Sequence, residues 1–228
     1  MSSLVAPARE GLPPGRRTRA MMAVLAGIGL ATLDTAIANT ALPTIAADLR
    51  VDPAASVWIV SVYQLAVVAT LLPIAALGEI VGQQRVFVAG LALFTGASLL
   101  CALAWSLPTL IAARVLQGVG ASAVMAVNVA LIRFVYPSHQ LGLGLGLNAF
   151  VVGVGFAVGP TVASLILAAA SWPWLFAVNI PVGLLALAFA ASALPDTGRS
   201  GQRFDAPGAL LNMATFTLLV LGLGEGTH

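Results

Sequence analysis

The stretch PTLIAARVLQGVGASAVMAVNVALI, Pro108–Ile132, decides the fold. As a helix rising ~1.5 Å per residue it is long enough to cross ~30 Å of hydrocarbon, which needs about 20 mostly apolar residues. It carries one charge, Arg114, which is the only charged residue between Arg85 and Arg133. A guanidinium does not lose its proton and costs at least ~2.5 kcal/mol at mid-membrane depth, so it calls for a partner. Gln117 and Gly118 follow at i+3 and i+4 on the same helix face, and Gly120 adds a point of close approach. Gln117 either bonds across a bundle, holds the guanidinium, or is a polar packing residue; spacing leaves these open.

The rest of the chain has the same character. Of its 228 residues, 60% are apolar and 8% charged, where a soluble domain carries about 25% charged residues. Mean hydropathy is +1.02. Lipid is therefore the expected solvent for most of the surface. The ten basic residues are all arginines scattered among loops, so a nucleic-acid partner is not expected. One cysteine, Cys101, excludes an internal disulfide. His139 and His228 stand apart, so no metal site and no cofactor is expected, and no hydrolase or protease motif points to an enzyme.

Seven segments qualify as spans: about Ala20–Pro43, Pro53–Gly78, Val86–Trp105, Pro108–Ile132, Leu141–Ala170, Trp174–Leu194 and Ala206–Gly224. Asp52 and Asp205 are candidate caps, each close to a proline that opens the helix. Trp172 and Trp174 interrupt a long uncharged stretch and fit a membrane interface. Arg9, Arg16, Arg17, Arg19, Arg85, Arg133, Arg199 and Arg203 fall on one side if the spans alternate, and only Arg50 falls on the other. That bias places the N-terminus in the cytoplasm and the protein in the inner (cytoplasmic) membrane as a multi-pass chain. The expected organisation is a cytoplasmic basic tail (1–19), a six-helix bundle (20–194), a cytoplasmic linker (195–205) and a seventh transmembrane helix (206–228). The chain stops directly after that helix, which reads as truncation.

A-N-T-A-L (Ala38–Leu42) in span one is echoed by V-N-V-A-L (Val127–Leu131) in span four. Each opens a triplet of helices running in opposite directions, as an inverted 3+3 repeat requires.

The natural partner of Arg114 is Asp34, an isolated acid in span one. Asp34 lies about 14 Å below the outer end of its span and Arg114 about 9 Å below the same end, at ~1.5 Å per residue. A direct or water-mediated ion pair fits those depths. A carboxylate with a cationic partner stays ionised, and one without a partner in a dry site takes up a proton. A group alternating between those states carries protons; a static pair merely fixes helices one and four. In span five, Gly155 and Gly159 make a smooth face and Pro160 bends the helix or frees a carbonyl. Glu79, Gly82 and Arg85 lie in a tight turn between spans two and three, either a latch or an ordinary polar turn. Trp58, Tyr63, Gln64, Asn128 and Asn148 are candidate cavity-lining residues, with Asn39 another polar group at depth.

Together these pieces resemble the major facilitator superfamily, and more narrowly its fourteen-helix drug:proton antiporter branch of Emr/Qac-type multidrug exporters. L-D-T-A-I-A-N-T-A-L-P (Leu33–Pro43) resembles the branch's span-one signature, with Asp34, Asn39 and Pro43 in place. R-V-L-Q-G-V-G (Arg114–Gly120) resembles the span-four motif, and G-F-A-V-G-P (Gly155–Pro160) the span-five antiporter motif. W-P-W-L-F-A-V-N-I-P-V-G (Trp172–Gly183) resembles the entry to span six, and F-D-A-P-G-A-L-L (Phe204–Leu211) follows a short linker as in that branch. The loop after span two departs: Glu79 replaces an aspartate, Ile80 an arginine, and Gln83 and Gln84 two basic residues, with Gly82 and Arg85 retained. The resemblance implies a six-helix N-terminal bundle with Asp34, Arg114 and Gln117 in proton coupling. It also implies a proton gradient as energy source, and small amphipathic molecules, protons and the lipid bilayer as partners. A missing C-terminal half is expected, without which this chain does not transport. The rival expectations are a metabolite transporter of the same superfamily and a non-transporting fragment that assembles with, or interferes with, a partner.

Overall fold

The computed structural model describes residues 11–198 and 205–225, and all the regular structure among them is helical. Seven helices follow in order: α1 (Pro14–Leu49), α2 (Pro53–Val81), α3 (Gln83–Ala102), α4 (Leu107–Val135), α5 (Leu141–Ala169), α6 (Trp174–Ala193) and α7 (Ala206–Glu225). The first six are each long and apolar enough to cross a membrane. Of the arginines used to orient the chain, Arg9, Arg199 and Arg203 lie outside the described residues, as do most of the 195–205 linker and the last three residues.

Helix ends follow local chemistry. Ser106 caps α4 with a reciprocal box: its hydroxyl accepts from the Thr109 amide while Thr109 Oγ1 accepts from the Ser106 amide. Asp52 Oδ1 accepts from the Ala54 amide at 2.9 Å and opens α2, as expected. α1 begins at Pro14, inside the expected tail, because Pro14 supplies the fixed φ of a first helical residue and Arg16 is held against the bundle. Arg16 Nε donates to Ala193 O at 3.0 Å and satisfies a carbonyl that the end of α6 leaves free. The turn expected over Gly78–Arg85 shrinks to one residue. α2 runs to Val81 and α3 restarts at Gln83, because Gly82 adopts φ 104, open only to glycine without strain.

The packing obeys the inverted repeat. α1 packs on α5 and α6; correspondingly α4 packs on α2 and α3. Of the smaller contacts, α1 with α4 and α3 with α6 map onto themselves when the triplets are exchanged, and α1 with α2 exchanges with α4 with α5, as α2 with α3 does with α5 with α6. α7 packs on α2, outside this set.

Two apolar clusters fill the bundle. One gathers Ala20, Val24, Phe87, Leu131, Val135 and Ala190 at the end carrying the start of α1. The other gathers Ile45, Ile59, Leu110, Trp172, Leu175 and Phe176 at the opposite end. Asp34, Arg114, Gln117 and Asn179 belong to neither and are buried in the layer between. Trp172 is buried, and its Nε1 donates to Asp48 Oδ2 at 2.6 Å, tying the loop before α6 to the end of α1. Trp174 is exposed.

Candidate functional site

Asp34 and Arg114 meet directly. Arg114 Nη1 donates to Asp34 Oδ2 at 2.5 Å, with the two side chains 0% and 1% exposed. An ion pair stripped of water repays its desolvation only when further hydrogen bonds satisfy both partners. Four helices besides α1 supply them. On α2, Ile59 O accepts from Arg114 Nε at 3.2 Å, and the Tyr63 ring lies 4.1 Å from the guanidinium carbon. On α4, Gln117 Oε1 accepts from Arg114 Nη1 at 2.7 Å. On α3, Ser98 Oγ accepts from Gln117 Nε2 at 2.9 Å, and the Cys101 thiol donates to Gln117 Oε1 at 3.4 Å. On α6, Asn179 Nδ2 donates to Asp34 Oδ1 at 2.8 Å, and the Phe176 ring lies 5.6 Å from the guanidinium carbon. Gln117 Nε2 also reaches Asp34 Oδ1, at 2.9 Å. Arg114 Nη2 has no hydrogen-bond partner, and both aromatic rings lie within cation–π range of the guanidinium carbon.

Glycines permit this convergence. A Cβ at Gly118 would fall 2.6 Å from Tyr63 O, and one at Gly120 would fall 2.5 Å from Phe94 N. Both helices flanking α4 therefore approach it at backbone distance, which brings Tyr63 and Ser98 within reach of Arg114 and Gln117. α5 gives no side chain to the cluster. It lies on α1 through Gly155 against Thr32 and Gly159 against Ala36, which bracket Asp34.

The other expected residues lie elsewhere. Trp58 and Gln64 are exposed on α2, whereas Tyr63 is fully buried beneath Arg114 and not on that open side. Asn128 Nδ2 donates to Asn148 Oδ1 at 2.7 Å, joining α4 to α5 away from the ion pair. Asn39, exposed, donates from Nδ2 to Thr35 O at 2.9 Å. Pro43 and Pro160 are exposed inside their helices. Arg85 pairs with Asp196 at 3.9 Å and not with Glu79, which is exposed; an exposed pair of that length contributes little. No group of three or more potential metal ligands occurs among the described residues. Sequence reasoning does not single out Asn179. The signal was available: it is a polar residue within the uncharged run Gln140–Pro195, about 8 Å into its helix at ~1.5 Å per residue.

The buried ion pair thus ties together five of the six membrane-length helices. Residues 24–223 match the Major Facilitator Superfamily. The chain belongs to that superfamily. It is 49% identical to the uncharacterized transporter YebQ of Escherichia coli K12, over 94% of this chain and 47% of that one. It is 36% identical to the riboflavin transporter RibZ of Clostridioides difficile, over 90% and 45%. It is 35% identical to the putative multidrug resistance protein MdtD of Salmonella typhi, over 86% and 42%. The fold matches the proton:xylose symporter XylE from E. coli with a TM-score of 0.67 at 16% identity, over 91% of this chain and 52% of that one. The chain thus spans about half the length of the curated relatives it matches. It has the fold of a multi-pass membrane transporter.

Proposed function

We propose that this chain is the N-terminal half of a proton-coupled exporter of amphipathic small molecules, within the fourteen-helix drug:proton antiporter branch. The observation that carries the reading is the Asp34–Arg114 pair, sealed from water and bonded to side chains on α3, α4 and α6. Protonation of Asp34 removes the charge that Arg114 faces. Every helix anchored to that pair then experiences the change, which converts a proton into a bias between two arrangements of the bundle. The protein acts as a carrier and not as an enzyme. It sits in the cytoplasmic membrane with its N-terminus inside, in keeping with the arginine asymmetry. A second bundle supplies the opposing wall of the substrate path, in keeping with the length of the relatives; alone, the described bundle does not transport. The likeness to MdtD supports a drug-like substrate.

A second reading has its own support: the equal likeness to RibZ favours a metabolite carrier. Proteoliposomes holding the complete protein under an imposed pH gradient separate the readings. The exporter reading requires drug-for-proton exchange that a protonophore collapses and that Asp34→Asn abolishes. Exchange indifferent to Asp34→Asn sinks it, and transport of a flavin but no cationic drug selects the second.

A further inference from the structure

Asn179 holds a position that the ion pair alone does not explain. Its side chain is wholly buried; Nδ2 is spent on Asp34 Oδ1 at 2.8 Å, while its Oδ1 has no partner. A buried carbonyl oxygen without a donor is costly, and native structures keep few such groups without a reason.

The chemistry of Asp34 supplies one. An ionised carboxylate only accepts hydrogen bonds, whereas a carboxylic acid must also donate one. Three side chains are bonded to this carboxylate. Arg114 has no acceptor to offer. Gln117 is locked: its Oε1 already accepts from Arg114 and Cys101, and its Nε2 donates to Ser98 as well as to Asp34. Turning that amide over would set an N–H against the guanidinium. Asn179 alone of the three holds an acceptor in reserve. Rotation about its terminal torsion, which is broad and nearly two-fold, exchanges Oδ1 for Nδ2. No other hydrogen bond is broken by that rotation, because Oδ1 has none to lose.

We infer that Asn179 is a positioning residue serving both protonation states of Asp34. It donates through Nδ2 to the carboxylate and accepts through Oδ1 from the acid after its amide turns. The proton ends on Asp34 Oδ1, no covalent bond of Asn179 changes, and Arg114 keeps its charge throughout. The titratable groups facing the site are Tyr63 from α2, Cys101 from α3 and Arg114 from α4; α5 and α6 contain no titratable residue. The inference rests on the proton-coupling reading above.

Infrared difference spectra of the complete protein in nanodiscs, taken between alkaline and acidic buffer, test it. Asp34→Asn identifies the protonated carboxyl band by its loss. In the unsubstituted protein with isotope-labelled asparagine, an asparagine carbonyl band should shift down as that carboxyl band appears. In Asn179→Leu the asparagine shift should vanish and the carboxyl band should move to the higher frequency of an acid with no acceptor. The labelled measurement needs no substitution, so it decides even if the leucine variant does not fold. A carboxyl band unmoved by Asn179→Leu, or one that appears with no asparagine shift, overturns the inference alone. Absence of an Asp34 carboxyl band at every pH overturns the proton-coupling reading and this inference with it.

Discussion

Arg114 and Gln117 stand one helical turn apart on α4 and are bonded to each other, Nη1 to Oε1 at 2.7 Å, while both hold Asp34. The glutamine thus orients the cation and the anion together, and it passes the link to α3 through Ser98. Gln117→Leu keeps the volume but strips an acceptor from Arg114 and a donor from Asp34 and Ser98. A buried polar group left unsatisfied costs about 1–3 kcal/mol, so the expected loss is at least ~2 kcal/mol. Denaturation in mixed micelles measures it; a loss below ~0.5 kcal/mol would mean the glutamine only fills space.

The ion pair itself predicts strong non-additivity. Arg114→Leu leaves Asp34 charged in an apolar layer, and Asp34→Leu leaves the guanidinium without its counter-ion. Each single change should cost about 3–5 kcal/mol, because an uncompensated buried charge is worse than no charge. The double variant should recover part of that loss, with a coupling of at least ~1 kcal/mol, since residues in one network do not add. Additive losses measured by the same denaturation would show that the pair is not coupled.

Arg114→Lys is not a conservative change here. Arginine uses Nε on Ile59 O and Nη1 on both Asp34 and Gln117, and its guanidinium carbon lies 4.1 Å from the centroid of the Tyr63 ring. A single ammonium presents no planar fork for those acceptors and no flat face for that ring. Transport by the complete protein should fall at least ~10-fold, which corresponds to about 1.4 kcal/mol. Retention of full transport would show that charge alone matters.

Much of this was legible in the sequence, and the reasons differ from residue to residue. Asp34 and Arg114 stood out because a lone charge in a long apolar run has few physical uses. Their common depth followed from helix rise. Gln117 was visible through its i+3 spacing, although spacing left its role open. Asn179 was obscured because a neutral amide beside Trp172 and Trp174 reads as part of a helix entrance. Tyr63 shows the limit of pattern reading: whether an aromatic faces a cavity or a buried cation depends on helix rotation, which apolar periodicity does not fix when both faces are apolar. The burial of Trp172 was hidden for a related reason, since its partner Asp48 lies 124 positions away in sequence.

That long-range bond gives a local prediction. Trp172→Phe keeps an aromatic ring but removes the rest of the buried indole together with the Nε1–H donated to Asp48 Oδ2. The partly buried hydrogen bond alone contributes about 1 kcal/mol, and the volume lost from a buried indole adds to it, so a loss of at least ~1 kcal/mol is expected. Hydrogen exchange at the end of α1, around Asp48, should quicken in the variant while exchange around Arg17 stays unchanged. Equal quickening at both ends would indicate general loosening instead.

The sharpest contrast lies between two glycines of α5 only two positions apart. A Cβ at Gly153 meets nothing within 4 Å, whereas one at Gly155 would fall 2.6 Å from Thr32 Oγ1. Thr32 has little room to yield, because its hydroxyl is fixed to Ile28 O and Gly29 O at 3.0 and 3.1 Å. Alanine is favoured over glycine inside a helix by about 1 kcal/mol, so Gly153→Ala should hold or raise thermal stability. Gly155→Ala should push α5 off α1, at a cost of about 1–3 kcal/mol for an overpacked contact. The displaced surface borders Asp34 on the same helix, so the second variant should also lose transport and the first should not. If both glycines tolerate alanine equally, α5 does not sit on α1 through this face.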